Sequence, residues 1–518
     1  MPRRKAADLF PASDCEKGGK TVKADAPTTQ RCEDAADGQL GKQWSDIDWE
    51  KAEKYVSRLQ TRIAKAMTKG ENDLVKRLCY LLTHSFSAKV LAVRKVTSNK
   101  GRRTAGVDGE RWTSPADKMK GVLSLTDKRY RAKPLRRIYI PKSNGKLRPL
   151  SIPTMRDRSM QALYALALDP IAETAADKDS YGFRKGRSCQ DASVCIHLNT
   201  KKGTKAEWAV ETDISACFDS IAHKWIVENI PMDKSILKQF LNSGYIFRKK
   251  LFPVESGIPQ GGIISPIIAN MTLDGMQRML EKNLPDGRAK LTRYADDSVC
   301  VCRTEEDAVR AKELMSELLF VRGLELNEEK TLITRLTDGF DFLGYTFTRR
   351  KGNKMIITPS KKAVKGIIGK LHDVVLKDGI AMTQDDLIRT LNPIIRGWGE
   401  YHRHNCAKKT FSDIDHYLFT ILFKWAVKRH PKKRRRWVAD KYWREIGNRS
   451  WCFATDDNEL FRMDGIPIKR HVKVRSGANP YLDTEYFNDR KRKRRIKSQK
   501  DPKLMGVSVR TAVNRTVI

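Results

Sequence analysis

Arg293-Tyr294-Ala295-Asp296-Asp297-Ser298 is the stretch on which the reading of this 518-residue chain turns. Apolar residues flank it, Leu291 before and Val299–Cys302 after, so it reads as a tight turn between two strands within Leu291–Cys302. Adjacent carboxylates at such a turn repel each other unless a cation or solvent intervenes. Joining nucleotides calls for this arrangement, because two Mg²⁺ ions about 4 Å apart need carboxylate oxygens held on rigid strands. Taken alone, the same residues also make an ordinary acidic turn, which Asp favours in any protein.

A further carboxylate on a neighbouring strand is required. Ala209-Val-Glu-Thr-Asp213-Ile-Ser-Ala-Cys-Phe218-Asp219 offers one. Trp208–Ile214 reads as an apolar-flanked strand that delivers Asp213 across from Asp296, where both could share the metals. Phe218, five residues on, could stand against the sugar of an incoming nucleotide and exclude a 2′-hydroxyl; core packing is the commoner fate of a Phe. Asp219 reads as a turn or cap residue.

Further pieces follow in order along the chain. Leu135-Arg-Arg-Ile-Tyr-Ile and Lys146-Leu-Arg-Pro-Leu-Ser-Ile read as strands joined through Ser143-Asn-Gly145, a strong hairpin signal. Lys146 and Arg148 suit triphosphate oxygens as point charge and fork, or simply a solvated edge strand. In Gly257-Ile-Pro-Gln260-Gly-Gly262 the glycines allow close backbone approach to a ligand, and Gln260 suits packing against a templating pair. A plain turn before a helix at 266–280 would look the same. Lys330 either reaches a phosphate or lies at the surface.

Composition narrows the partners. The formal net charge of +39 far exceeds what solubility needs, and phosphate backbones are the commonest polyanion to attract it. Residues 361–518 carry about half of that surplus, densest at Lys432–Arg436 and Lys491–Lys500. The longest apolar run, Ala162–Leu168, is far short of the roughly 20 residues that cross a bilayer. No C-x-x-C pair occurs among the ten cysteines, which argues against zinc ribbons and disulfide scaffolds and suits reduced thiols in a cytoplasm.

Residues 1–43, polar and without sustained periodicity, read as a flexible tail. Helical spacing of Val56, Leu59, Ile63 and Ala66, then of Leu74, Leu78 and Leu81, predicts two packed helices over 46–96 within a helical extension at 44–105. Strands alternating with helices over 207–349 suggest an α+β domain. Three helices are expected after 360, at 360–376, 383–403 and 410–429. Pro393 should kink or restart the second, with Asn392 as a cap, while Thr410 and Asp413 should cap the third.

Tyr294-Ala-Asp-Asp297, the Asp213 strand, Gly257–Pro266 and Asp341-Phe-Leu-Gly-Tyr345 together resemble the ordered blocks of a reverse transcriptase. Trp44–Gly109, Ser180-Tyr-Gly-Phe-Arg-Lys-Gly-Arg-Ser188 and Ile394-Ile-Arg-Gly-Trp-Gly-Glu-Tyr401 narrow the resemblance to bacterial group II intron-encoded proteins, over about 44–475. That resemblance implies an α+β right-hand polymerase. Fingers would span 106–206, the palm 207–350, a three-helix thumb or maturase domain 351–453, and a basic DNA-contacting tail 454–518; a disordered solubilising tail is the competing reading of the last. Asp213, Asp296 and Asp297, with the Ile214 backbone, would hold two Mg²⁺ ions, with Mn²⁺ as a substitute. Lys146, Arg148, Phe218, Gln260 and Lys330 would surround the nucleotide.

Arg396 and the run Lys432, Lys433, Arg434, Arg435, Arg436 are the expected nucleic-acid contacts. The implied partners are the chain's own intron RNA in a ribonucleoprotein, target DNA and dNTPs, in a bacterial cytoplasm, with no membrane and no zinc. The RNA itself would catalyse splicing. Many members end in a zinc-bearing H-N-H nuclease, but here no cysteine follows Cys452 and His471 is the last histidine. No second-strand cleavage is therefore expected, and priming would come from another source, such as a nascent replication-fork strand. Two other readings compete. A defence-associated or diversity-generating reverse transcriptase is opposed by Gly397-Trp398-Gly399, and a non-enzymatic splicing factor by the complete carboxylate set.

Overall fold

The computed structural model describes residues 28–141, 145 and 147–499. Its strands are β1 (Leu135–Pro141), β2 (Leu147–Ile152), β3 (Trp208–Thr212), β4 (Tyr245–Phe247), β5 (Lys250–Phe252), β6 (Ala289–Tyr294), β7 (Asp297–Cys302), β8 (Leu332–Arg335), β9 (Phe340–Phe342), β10 (Tyr345–Arg350) and β11 (Lys354–Pro359), followed by a short hairpin, β12 (Trp443–Ile446) and β13 (Arg449–Phe453).

The central sheet has the order β6-β7-β3-β8 and is antiparallel throughout. Its side chains alternate as the two-residue period demands. Val210, Leu291, Cys300 and Cys302 enter the core shared with the N-terminal helices, while Ala209, Val299 and Val301 enter a second core under β9–β11. The expected strand pair within Leu291–Cys302 and the strand from Trp208 are therefore both present. A second sheet, β2-β1-β4-β5, contains the expected 135–152 hairpin. Tyr245–Phe252 lies within 207–350, the stretch that the resemblance implies is palm, yet β4 pairs in parallel with β1 through Leu135 and Tyr245 and joins the sheet of the 135–152 hairpin. A pairing across that distance leaves no local trace in sequence.

The helices depart from expectation in several places. Residues 46–96 hold three helices, Trp49–Lys69, Asn72–His84 and Phe86–Ser98. Gly70, at φ 75°, closes the first, and Ser85 divides the others by accepting the Ala88 N–H at its side-chain oxygen. All three surround the buried helix Met155–Ala175. The supposed tail ends earlier than 43, because Thr28–Ser45 is a helix that packs on Pro115–Ser124. Trp44 near its end is buried, and the few apolar residues along it give little periodicity to read.

In the thumb, Gln384–His402 runs unbroken through Pro393. Asn392 does not cap a new helix: its side chain donates to the Glu459 carbonyl (2.9 Å) and accepts the Phe461 N–H (2.7 Å). The third helix starts at Lys408, after Ala407, so neither Thr410 nor Asp413 caps it. Its buried face, Phe411, Ile414, Leu418, Ile421 and Trp425, is the one its spacing predicts. Residues beyond 454 are not a free tail as far as they are described. Met463 and Ile466 complete the thumb core, and Val474 and Ala478 enter the core behind the palm. No helix among the described residues is long and apolar enough to cross a membrane.

Candidate active site

The β6–β7 hairpin pairs Tyr294 with Asp297, leaving Ala295 and Asp296 as its two-residue turn. Ala295 takes φ 58°, a left-handed conformation usually left to glycine, so the turn needs outside support. That support comes from residues 177–182. Ser180 bridges to Arg293 in parallel, the Tyr181 N–H donates to the Arg293 carbonyl (2.9 Å), and the Arg293 N–H donates to the Asp179 carbonyl (3.0 Å). Gly182 then presses directly against the turn. A Cβ there would fall on the Ala295 amide nitrogen and within 2.8 Å of the Tyr294 carbonyl carbon.

Beneath the turn, the Arg293 side chain is almost wholly buried and ion-paired with Asp274. It also donates to Asn270 (3.1 Å) and to the Ala295 carbonyl (3.2 Å), and Asn270 donates to the Gly182 carbonyl (2.9 Å). Arg293, Asn270, Asp274 and Gly182 thus form a scaffold for the turn. Arg293 and Gly182 lie inside quoted motif blocks, but Asn270 and Asp274 carried no sequence signal, because a buried ion pair needs partners that only folding brings together.

The register of the central sheet supplies the third carboxylate. Thr212 pairs with Ser298, so Asp213 and Asp297 are the next residues beyond that last rung. Asp213, Asp296 and Asp297 gather at one end of the sheet, as expected. Beyond Asp213, Ile214 is buried and bridges to Leu326. Among the described residues no three His, Cys, Asp or Glu side chains close on one point as a ready metal site. The donors are nevertheless hard carboxylate oxygens, the chemistry Mg²⁺ takes, and Lys330 at Asp213 offsets their mutual repulsion only in part. Asp297 is pushed up to about 6, first by the low-dielectric protein wall behind it and then by Asp296 and Asp213, against the pull of Lys330 and Lys362.

A raised carboxyl means that the folded chain holds this proton more tightly than the unfolded one. This site therefore costs stability as pH climbs from the ordinary carboxylate range through about 6. In chelator at neutral pH, Asp297→Asn is expected to raise the melting temperature by about 2 °C, with a smaller gain near pH 4. Unchanged or lower melting at neutral pH would contradict the repulsion.

Around the carboxylates, the expected nucleotide residues meet different fates. The Gly257–Gly262 loop packs closely on protein backbone, where its glycines suggested room for a ligand. At φ 81°, Gly257 leaves no room for a Cβ, which would lie 2.5 Å from the Asp219 carbonyl, and the Ile258 N–H donates to the Phe218 carbonyl. The Gln260 amide reaches Asp219 (3.3 Å), and the Gln260 carbonyl accepts the Ser151 N–H (2.8 Å), which ties the loop to β2. Asp219, read as a turn residue, also holds this glutamine. Phe218 is half-buried against the core beside this loop. Arg148 is exposed on β2, on the same face as Leu150, which packs toward Gly261. Lys146 lies outside the described residues.

Lys330 is exposed, yet it is no lone surface charge. The turn in which the Asn327 N–H donates to the Asp213 carbonyl carries the Lys330 ammonium to the Asp213 carboxylate, 2.7 Å away. On the thumb, Arg396 stacks on the Phe461 ring at 4.5 Å, while Lys432, Lys433, Arg434, Arg435 and Arg436 are all exposed, Lys433 over Trp437.

Comparison with known proteins places three family patterns on the chain. Residues 44–125 match the N-terminal domain of reverse transcriptase, 140–347 match reverse transcriptase (RNA-dependent DNA polymerase), and 364–443 match the group II intron maturase-specific domain. Protein YkfC of Escherichia coli K12 is 30% identical over 358 residues, which is 60% of this chain and 93% of that protein. The group II intron-encoded protein LtrA of Lactococcus lactis is 29% identical over 429 residues, 68% of this chain and 70% of LtrA. Maturase-like protein 1 of Euglena gracilis is 23% identical, covering 74% of this chain and 80% of its own.

Proposed function

The chain belongs to the family of group II intron-encoded reverse transcriptases and maturases, and from that membership we propose that Asp213, Asp296 and Asp297 are the carboxylates at which it copies RNA into DNA. It is an RNA-directed DNA polymerase and maturase that binds intron RNA, promotes its splicing and reverse transcribes it in retrohoming. As a reverse transcriptase it depends on a divalent metal; we take the metal to be Mg²⁺, two ions, with Mn²⁺ able to replace it. The observation that carries the site assignment is the Thr212–Ser298 register, which sets Asp213 beside the Asp296–Asp297 turn.

Bound at these oxygens, the metals would activate the primer 3′-oxygen and offset charge on the α-phosphate. Each remaining role belongs to the chain itself. Phe218 stands at the sugar and disfavours a 2′-hydroxyl. Gln260, steadied by Asp219, packs under the templating pair. Lys146 and Arg148 hold triphosphate oxygens of the dNTP, and Lys330 supplies a mobile positive charge at the same cleft. The exposed run Lys432–Arg436 and Arg396 contact intron RNA, and the basic residues from Lys491 onward contact target DNA.

Primer extension on a poly(rA) template tests the metal. After chelation, activity should vanish and return with Mg²⁺ or Mn²⁺, and Asp213→Asn should need far more Mg²⁺. Undiminished extension in chelator would overturn this reading. Intron RNA affinity should fall about a hundredfold or more between about 50 and about 200 mM salt, because Lys and Arg contacts release condensed counterions. A salt-independent affinity would contradict the charge argument.

A further inference from the structure

Past Ile466 the chain leaves the thumb core and returns behind the palm. Both ends of this return segment converge on one buried carboxylate. Asp191, whose side chain has no exposed surface, accepts bonds from Ser188, His471 (2.9 Å), the Val474 N–H (2.8 Å) and Arg490 (2.7 Å). His471 and Val474 lie at the start of the segment and Arg490 near its end, so Asp191 fastens it as a loop against the palm. Phe487 reinforces the attachment, since its ring fills the space that a Cβ on Gly186 would need.

Between these anchors, Lys473 points into the palm. Only 15% of its side chain is exposed, which removes it from any nucleic-acid surface. Its ammonium lies 3.4 Å from the Asp179 carboxylate and 3.2 Å from the Tyr181 hydroxyl, which itself donates to Asp179 (2.9 Å). Asp179 and Tyr181 are the residues whose backbones hold Arg293 on the outer edge of β6. Gly182, the next residue, abuts the Ala295–Asp296 turn.

We propose that residues 468–490 are a built-in brace of the polymerase centre and that Lys473 is a positioning residue, acting through Asp179 and Tyr181 on Arg293 and the catalytic turn. Without the ammonium, Asp179 loses its counter-charge and Tyr181 a donor, in a half-buried place where water replaces them poorly. The 179–182 edge then loses its fixed distance from the carboxylates. This inference rests on the assignment of Asp213, Asp296 and Asp297. Asp296→Asn tests that assignment by itself, so failure of one is separable from failure of the other.

The test uses the full chain with Lys473→Met, Lys473→Arg and Tyr181→Phe. Single-nucleotide incorporation of dTTP on poly(rA)/oligo(dT) would be followed at saturating template-primer, together with KM for dTTP, template-primer affinity and melting temperature. Lys473→Met should slow incorporation about tenfold, with KM and template-primer affinity unchanged, because displacement of a fixed catalytic group is felt in the chemical step. Lys473→Arg should recover most of the rate. Tyr181→Phe, which deletes one hydroxyl and keeps the ring, should give about a threefold loss and secures a result if Lys473→Met does not fold. Wild-type rates in every variant that folds would overturn the proposal. So would equal losses in the Met and Arg variants, or a change confined to template-primer affinity, which would make Lys473 a nucleic-acid contact.

Discussion

Asp296→Asn is expected to abolish primer extension, lowering the incorporation rate by about a thousandfold or more, while intron RNA binding changes by no more than about twofold. The substitution keeps the size and planar shape of the side chain, removes its charge and replaces one acceptor oxygen by a donor NH2, at the tip of a turn whose conformation is held by Gly182 and Arg293 rather than by Asp296 itself. The effect should therefore be electrostatic and local. RNA affinity stays because it is spread over many phosphate contacts elsewhere on a chain of net charge +39. Rapid primer extension measured alongside filter binding separates the two readouts. Full extension by the variant would remove Asp296 from the catalytic set, and joint loss of both readouts would mean that the turn had collapsed.

Gly182→Ala should be nearly as damaging, although it touches no substrate. Its added methyl would overlap the backbone of Tyr294 and Ala295, which cannot rotate away as a side chain could. Relief requires moving the turn that carries Asp296 and Asp297, and a displacement of about 1 Å at reacting groups costs on the order of a hundredfold in rate. The protein should still fold and bind RNA, because the scaffold of Arg293, Asp274 and Asn270 remains. Gly366→Ala is the matched control. Its methyl meets nothing within 4 Å in a helix interior, so activity should be unchanged and stability equal or higher by up to about 1 kcal/mol. A Gly182→Ala variant with normal incorporation would show that the turn tolerates displacement, and the close packing would carry no catalytic weight.

The two glycines show why some parts of this protein could be read early and others could not. Asp213 and the Asp296–Asp297 pair are legible because two-metal chemistry demands acidic residues at strand ends, and apolar alternation marks strand ends locally. The third thumb helix is legible for a similar reason, since its buried stripe repeats at helical spacing. Pro393 misleads because local rules treat proline as a break, whereas the bonds that occupy Asn392 and the burial of Leu387, Ile388, Leu391 and Ile395 carry the helix through. The stretch 454–490 misleads in the opposite direction. Its composition is that of a solvated basic tail, and its structural role rests on a few residues, among them Lys473 and Val474, whose partners lie near 180 and 190.

The sequence by itself determined the local elements: the strand that ends at Asp213, the hairpin turn that presents Asp296 and Asp297, the close-approach glycines and the amphipathic third thumb helix. These depend on interactions within a few residues, where spacing and residue type suffice. Tertiary structure alone decided that Tyr245–Phe252 joins the sheet of the 135–152 hairpin, that Lys330 reaches Asp213, that Arg293 is ion-paired beneath the turn and that Lys473 of the return segment meets Asp179. Each is a pairing across tens to hundreds of residues. Such partners are chosen by which surfaces the packed cores bring together, and buried charges are tolerated only once those partners have arrived.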